Sequence, residues 1–230
     1  MLIGGLQKTS LIDYPDKVSC VIFTLGCNFR CPFCQNVDLV LNTEEAPAIS
    51  ENYFFRFLES RKNLLDGVVI TGGEPLIQKD IEDFIEKIKS MGFLVKLDTN
   101  GSLPDVLRKL IDKKLVDYIA MDIKSTPEKY EKACGCGVDV EKIKKSVEII
   151  MNSGVDYEFR TTAIPRLQTK EDFRKIGEWL KGAKKYFLQR FSNERTLDRA
   201  FKRYPPYTQK EMVEIRKNLS KYFGKCEVRG

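Results

Sequence analysis

Short apolar runs, many of them β-branched, recur along the chain and alternate with stretches of helical periodicity. The runs Val18 to Thr24, Gly67 to Thr71, Phe93 to Thr99, Val116 to Lys124, Val155 to Ala163 and Lys185 to Phe191 predict six strands. Between them, Ile81, Phe84, Ile85 and Ile88 fall at i, i+3, i+4 and i+7, on one side of a helix. Ile143, Val147, Ile150 and Met151 form a similar stripe, with Gly154 as a helix stop. Met212, Ile215, Leu219 and Tyr222 predict a last helix, which starts after Pro205 and Pro206 because proline cannot lie in a helix interior. Thr208 is its expected N-cap.

Strands alternating with helices place the chain in the α/β class, with a parallel sheet and crossover helices. An open doubly wound sheet fits this alternation, and so does a barrel. A full eight-unit barrel takes about 250 residues. The six units in 230 residues therefore predict a partial (β/α)6 TIM-like barrel. In either architecture the active site gathers at the carboxyl ends of the strands. Residues 1–230 are expected to form a single domain, with its core at about 16–191 and a C-terminal helix and strand at about 207–230.

Composition narrows the chemistry. The 31% of charged residues mixes both signs along the whole chain, so the net charge of +6 predicts no nucleic-acid partner. No stretch approaches the roughly 18 apolar residues of a membrane span. The opening MLIGGLQKTSLIDYPDK has neither the basic start nor the apolar run of a signal peptide. The expected location is cytoplasmic, with the seven cysteines mostly reduced. The chain has no histidine. That excludes Ser-His-Asp and Cys-His catalysis and HExxH zinc sites, and leaves acid-base work to Asp, Glu, Lys, Tyr or Cys. Difficult chemistry then points to a cofactor.

Directly after the first predicted strand, Cys27, Cys31 and Cys34 stand in the spacing CxxxCxxC, with Gly26 and Pro32 favouring a turn. Thiolates suit zinc and iron-sulfur centres, both of which commonly take four ligands, and only three cysteines are supplied locally. A [4Fe-4S] cluster held by three thiolates leaves one iron open. A zinc site completed by a distant Cys or Asp, or three reduced thiols without metal, are the alternatives. Thr71-Gly72-Gly73-Glu74-Pro75 ends the second strand, where two glycines allow close approach of a ligand to the backbone. Leu97-Asp98-Thr99-Asn100-Gly101 and Met121-Asp122-Ile123-Lys124 end the third and fourth. Parallel neighbours would bring Asp98 and Asp122 close, and the two carboxylates would repel unless a cation or Lys124 intervened. Helix N-capping is the plainer use of both.

These residues resemble the radical S-adenosylmethionine superfamily, whose members carry CxxxCxΦC with an aromatic Φ, here Phe33. The resemblance implies a [4Fe-4S] cluster on Cys27, Cys31 and Cys34, which are also the catalytic residues. The open iron would bind S-adenosyl-L-methionine, and reductive cleavage would give a 5′-deoxyadenosyl radical. Gly72, Gly73 and Glu74 resemble the segment that holds the substrate's amino group. The DTNG and DxK segments resemble the glycyl-radical enzyme activating family, and Ser10-Leu11-Ile12-Asp13-Tyr14-Pro15 its branch acting on anaerobic ribonucleotide reductase.

That family implies S-adenosylmethionine contacts by Phe33, Gln35, Asp98, Asp122 and Lys124, and a monovalent cation at Asp98, Thr99 and Asp122. Its implied partners are a glycyl-radical enzyme and a flavodoxin- or ferredoxin-like electron donor. Arg160, Thr162 and Gln189 are expected on the adenosine side from their strand-end positions, with a buried salt bridge as the alternative for Arg160. The chain departs from the family at Gln35 and in Gln189 to Phe191, where related enzymes commonly carry histidine. A radical enzyme acting on a small molecule in cofactor or modified-base biosynthesis, and a zinc-stabilised module without turnover, are the competing readings. Cys20 is expected to pack within its strand and Cys226 to lie in a terminal strand. Cys134 and Cys136, in a glycine-bearing loop, could bind metal or relay redox equivalents, although no second cysteine set supports an auxiliary cluster.

Overall fold

The computed structural model describes residues 1–41 and 48–230. It begins with a strand that the periodicity does not predict, β1 (Ile3–Ser10), which runs antiparallel to β2 (Ser19–Thr24). IGGLQKTS carries two glycines and a polar tail, so it has neither an apolar run nor strict alternation. It holds its place by pairing along the edge of the sheet.

Helices α1 (Val37–Leu41) and α2 (Glu51–Glu59) lead to β3 (Gly67–Gly72), α3 (Ile81–Ser90) to β4 (Leu94–Thr99), and α4 (Pro104–Asp112) to β5 (Tyr118–Asp122). Then α5 (Tyr130–Cys134) and α6 (Val140–Asn152) precede β6 (Asp156–Ala163), α7 (Lys170–Trp179) precedes β7 (Lys185–Arg190), and α8 (Gln209–Leu219) precedes β8 (Lys225–Arg229). The strands form one sheet in chain order, and β2 to β8 are mutually parallel. With β1 and β8 at its two edges the sheet stays open, a partial barrel extended by one strand at each end of the six predicted.

The helices form where the stripes place them. Ile81, Phe84, Ile85 and Ile88 of α3 are all buried, as are Ile143, Val147 and Ile150 of α6, while Met151 is half-buried. Thr208 caps α8 through a reciprocal capping box with Glu211. Tyr222 lies one turn beyond α8, in a 3₁₀ segment. Cys20 is fully buried in β2, and Cys226 is buried in β8. Among the described residues, no helix is long and apolar enough to cross a membrane.

The two faces of the sheet differ in chemistry. Ile22, Ile70, Leu97, Met121, Phe159 and Leu188 belong to the large apolar core shared with the helices. Among the described residues, the opposite face carries a small separate apolar cluster of Tyr14, Val21, Val69 and Tyr118. The alternation of parallel strands puts Lys96, Asp98, Asp122, Glu158 and Arg160 on that second face. Parallel strands covered on both sides normally read as near-continuous apolar runs. Five charged residues on the inner face mark it as a site instead.

Candidate active site

The loop after β2 is built to hold three thiols at the strand end. Gly26 donates its N–H to Leu39 O at 2.7 Å, and Cys34 N–H donates to Cys31 O at 3.0 Å, which closes a turn across Pro32 and Phe33. The Arg30 guanidinium donates to the carbonyls of Cys27 at 2.6 Å and Phe29 at 2.9 Å. Asn28 is braced from the loop after β4, donating to Ser102 Oγ at 2.8 Å and accepting from Asn100 Nδ2 at 3.0 Å. Burial pushes the Cys27 thiol up to about 12 and raises Cys34 as well. At Cys31 the neighbouring Cys134 thiol, with help from Lys124, outweighs burial and lowers the thiol.

The glycine segment after β3 packs directly on this loop. Gly73 N–H donates to Thr24 O at 2.9 Å and Glu74 N–H to Gly26 O at 2.8 Å. A Cβ on Gly73 would stand 1.8 Å from Gly26 O, so only glycine permits the approach. The Glu74 side chain is 1% exposed and turned into the protein. Its oxygens accept from Thr99 Oγ1 at 2.7 Å, Asn100 N–H at 2.7 Å and Leu76 N–H at 3.2 Å. Burial pushes Glu74 up to about 7 against the pull of those donors. Glu74 therefore ties the ends of β3 and β4 together, and the exposed part of this segment is backbone.

Across the sheet, register creates an ion network. Asp122 and Arg160 are Cα partners in the β5–β6 ladder. Arg160 Nε donates to Asp122 Oδ1 at 2.9 Å, and its Nη1 to Asp98 Oδ2 at 3.0 Å. Lys124 Nζ pairs with Asp122 at 3.0 Å, and Lys96 pairs with Asp98. Burial alone would raise both carboxylates; the Arg160 charge, with Lys124 at Asp122 and Lys96 at Asp98, holds them below the ordinary range. Neither aspartate caps a helix. A positive charge stands between Asp98 and Asp122, the Arg160 guanidinium. Thr99 points away from that pair, to Glu74. Arg160 makes the buried salt bridge and also stands in the cavity wall.

All these segments meet in one cavity of about 440 Å³. Its wall includes Cys27, Cys31, Cys34, Phe33, Gln35, Gly72, Gly73, Glu74, Asp98, Thr99, Asp122, Lys124, Arg160, Thr162 and Gln189, which is every candidate site residue of the sequence. Volume and mixed lining are those of a small-molecule site. Lys124 Nζ sits 5.9 Å from the Phe33 ring centroid. Gln35 donates to Ser192 O at 3.3 Å, tying the cysteine loop to the segment after β7. Sequence reasoning missed Asp13, from the β1–β2 turn, and Lys96. The missing information for Asp13 was β1 itself. For Lys96 the signal was present, since it is two residues before Asp98 in one strand and so on the same face.

The donor set suits an iron-sulfur cluster. Three thiols come from one loop, and a cube of four irons takes thiolates set further apart than one ion does. Cys27, Cys31 and Cys34 all stand in the wall of the cavity, where three thiolates could hold such a cluster.

Comparison with known proteins gives the same direction. Residues 21–180 match the family model described as the radical SAM superfamily. A Methanocaldococcus jannaschii protein, provisionally assigned as a glycyl-radical enzyme activating enzyme, is 36% identical over 99% of this chain and 95% of its own length. The pyruvate formate-lyase-activating enzyme of Listeria monocytogenes is 29% identical over 56% of each chain. In fold, the crystal structure of Streptococcus suis SuiB bound to S-adenosylmethionine superposes with a TM-score of 0.72 at 17% identity, over 91% of this chain and half of that one. With the cysteine loop, the glycine segment and the open parallel barrel in place, the chain belongs to the radical SAM superfamily and, within it, to the glycyl-radical enzyme activating family.

Proposed function

We propose that this protein installs a glycyl radical on a partner enzyme, an anaerobic ribonucleotide reductase, using a [4Fe-4S] cluster held by Cys27, Cys31 and Cys34 and S-adenosylmethionine bound beside it. The observation that carries this reading is the convergence of all the candidate strand-end residues on one cavity that has exactly three local thiols in its wall. A reduced cluster held there would supply the one electron needed to break a carbon–sulfur bond of the sulfonium, giving methionine and a 5′-deoxyadenosyl radical that would become 5′-deoxyadenosine on taking a hydrogen atom from the partner's glycine. The chain's own residues bind and orient. The backbone of Gly72 to Glu74 lies against the cysteine loop and offers polar groups to the amino end of the ligand. Asp122 and Lys124 face the same space, and Arg160, Thr162 and Gln189 line the side assigned to adenosine. The amide of Gln35 or Gln189 serves where relatives commonly have imidazole. Electrons are assigned to a flavodoxin- or ferredoxin-like donor.

The test is anaerobic incubation of the reconstituted, reduced protein with S-adenosylmethionine and an anaerobic ribonucleotide reductase, read by electron paramagnetic resonance. A glycyl doublet is expected, and Cys31→Ala should abolish both the cluster signal and the doublet, because two thiolates hold the cube poorly. Deoxyadenosine release driven by a metabolite, with no doublet on any protein partner, would instead assign the small-molecule reading.

A further inference from the structure

On several helices the cations stand beside acids: Lys109 and Lys113 with Glu82, Arg174 with Glu171 and Glu178, Lys170 with Glu214. The segment joining β7 to α8, residues 191–208, breaks that pattern. It is held firmly, with Phe201 and Tyr207 buried, the Tyr207 hydroxyl donating to Gln168 O at 2.6 Å, and Asn193 Nδ2 donating to Lys202 O at 3.1 Å. It also lies directly on the cysteine loop. Asp198 N–H donates to Pro32 O at 2.9 Å, between Cys31 and Cys34, and Gln35 donates to Ser192 O. The 3₁₀ turn Arg199–Arg203 starts from Asp198, whose carboxylate accepts from Ala200 N–H at 2.8 Å. Three residues per turn put Arg199 and Lys202 on one side. Arg203 follows them, and the guanidinium of Arg166, from the loop after β6, lies 5.3 Å from the Tyr204 ring centroid. These four cations are exposed, and among the described residues none of them forms an ion pair with a carboxylate, whereas Arg195 of the same segment is tied to Asp38. Glu194 and the capping Asp198 are the segment's acids.

We propose that this basic ledge is the docking surface for the protein that reduces the cluster, an acidic one-electron carrier of the ferredoxin class. The inference rests on the reading of Cys27, Cys31 and Cys34 as cluster ligands. Each sulfonium cleaved consumes one electron, which leaves the carrier's reduced cluster and enters this one, with no bond made or broken in the transfer. Ferredoxins supply single electrons at low potential, and their surplus of acids complements four cations that have no acidic partner. A carrier seated on the ledge lies against the residues that join Cys31 to Cys34. The glycine-bearing partner has to enter the cavity, whereas a carrier needs only to approach the cluster from the side of its loop. Electron-transfer encounters bury little surface, so one turn and its flanks suffice. Unpaired charges facing a partner of opposite sign chiefly speed the encounter, and added salt weakens them.

The test uses the full chain, reconstituted anaerobically, as wild type and as the triple charge reversal Arg199→Glu, Lys202→Glu, Arg203→Glu. A control triple, Lys181→Glu, Lys217→Glu, Lys221→Glu, changes the net charge equally but near the amino ends of β7 and β8. A plant-type ferredoxin is reduced, freed of reductant and mixed with each protein and S-adenosylmethionine, and its reoxidation is followed by stopped flow. At low salt the ledge variant should react at least about tenfold more slowly than wild type and lose its salt dependence, while the control stays within about twofold. The milder Lys202→Gln, Arg203→Gln pair should fall between. With dithionite as reductant, all the proteins should carry equal iron and release deoxyadenosine at rates within about twofold of one another, since a small reductant needs no docking surface. An unchanged ferredoxin rate in the ledge variant overturns the proposal, as does an equal loss in the control. A glycyl doublet lost under dithionite in the ledge variant alone overturns it by assigning the ledge to the radical-receiving partner. A wild type that accepts electrons from a flavodoxin and not from ferredoxin overturns the assignment of the carrier. A wild type that releases no deoxyadenosine even with dithionite overturns the cluster reading, and the ledge with it, a result distinct from all the others.

Discussion

Glu74 and Arg160 show how single side chains hold the site together, and each has a measurable consequence. Glu74, ordinarily near 4.5, is pushed by burial up to about 7. A carboxyl raised in the folded state contributes stability that is complete below its unfolded value and is lost as pH rises through about 7. A shift of this size corresponds to about 3 kcal/mol, so urea unfolding should show stability falling by that order between pH 4.5 and pH 8. Glu74→Gln should remove this slope. At pH 4.5 it should cost about 1–3 kcal/mol, because its amide NH₂ competes with the three donors that converge on the carboxyl, and this deficit should disappear toward pH 8 as the wild type loses its own stabilisation. Arg160→Met leaves Asp98 and Asp122 without the guanidinium between them, each held by one lysine alone, which should lower stability at pH 7 by the lower end of about 3–5 kcal/mol. Both carboxyls are held low in the wild type, so their contribution is present above the ordinary 3.8 and lost only as pH falls through the depressed folded values. In Arg160→Met the acid limb of the stability curve should begin at higher pH.

At the scale of elements, the contact between the turn after β3 and the cysteine loop makes Gly73→Ala a sharp probe. The added methyl meets a backbone oxygen that has no rotamer to yield. A loss of about 1–3 kcal/mol is expected, with weaker retention of iron after reconstitution; unaltered stability and iron content would mean that the two loops are not packed as described. The six central strands and the α3, α6 and α8 stripes were legible because each pairs one apolar side with a structured neighbour, and periodicity records that asymmetry. β1 was not legible, since its pairing is made by backbone at an edge and needs little from the side chains. Spacing likewise placed every candidate residue on the cavity, because strand ends of a parallel sheet share one rim. Which way a side chain turns there was not legible: Thr99 and Glu74 look inward to one another, and Asp98 and Asp122 are partners of Arg160 from the next strand, relations that depend on register.

For the whole molecule, β8 does more than close the chain. Its Arg229 reaches across the sheet to Glu158, with contacts of 2.6 and 2.9 Å, and Glu158 is fully buried beside the Tyr118 hydroxyl. Arg229→Met should therefore strand a buried carboxylate at the base of the inner face. Because Arg229 is itself 40% exposed, the expected loss is at the lower end of about 3–5 kcal/mol, and Glu158→Gln in the same chain should restore much of it. The Arg160 bridge has a consequence for the solution in which the enzyme works. A guanidinium does not deprotonate in a protein, and it is tethered, so the positive centre between Asp98 and Asp122 is present at any salt composition. Exchange of sodium and potassium for a bulky organic cation at constant ionic strength should leave S-adenosylmethionine affinity within about twofold, and only the Arg160→Met protein should acquire a requirement for a small alkali ion.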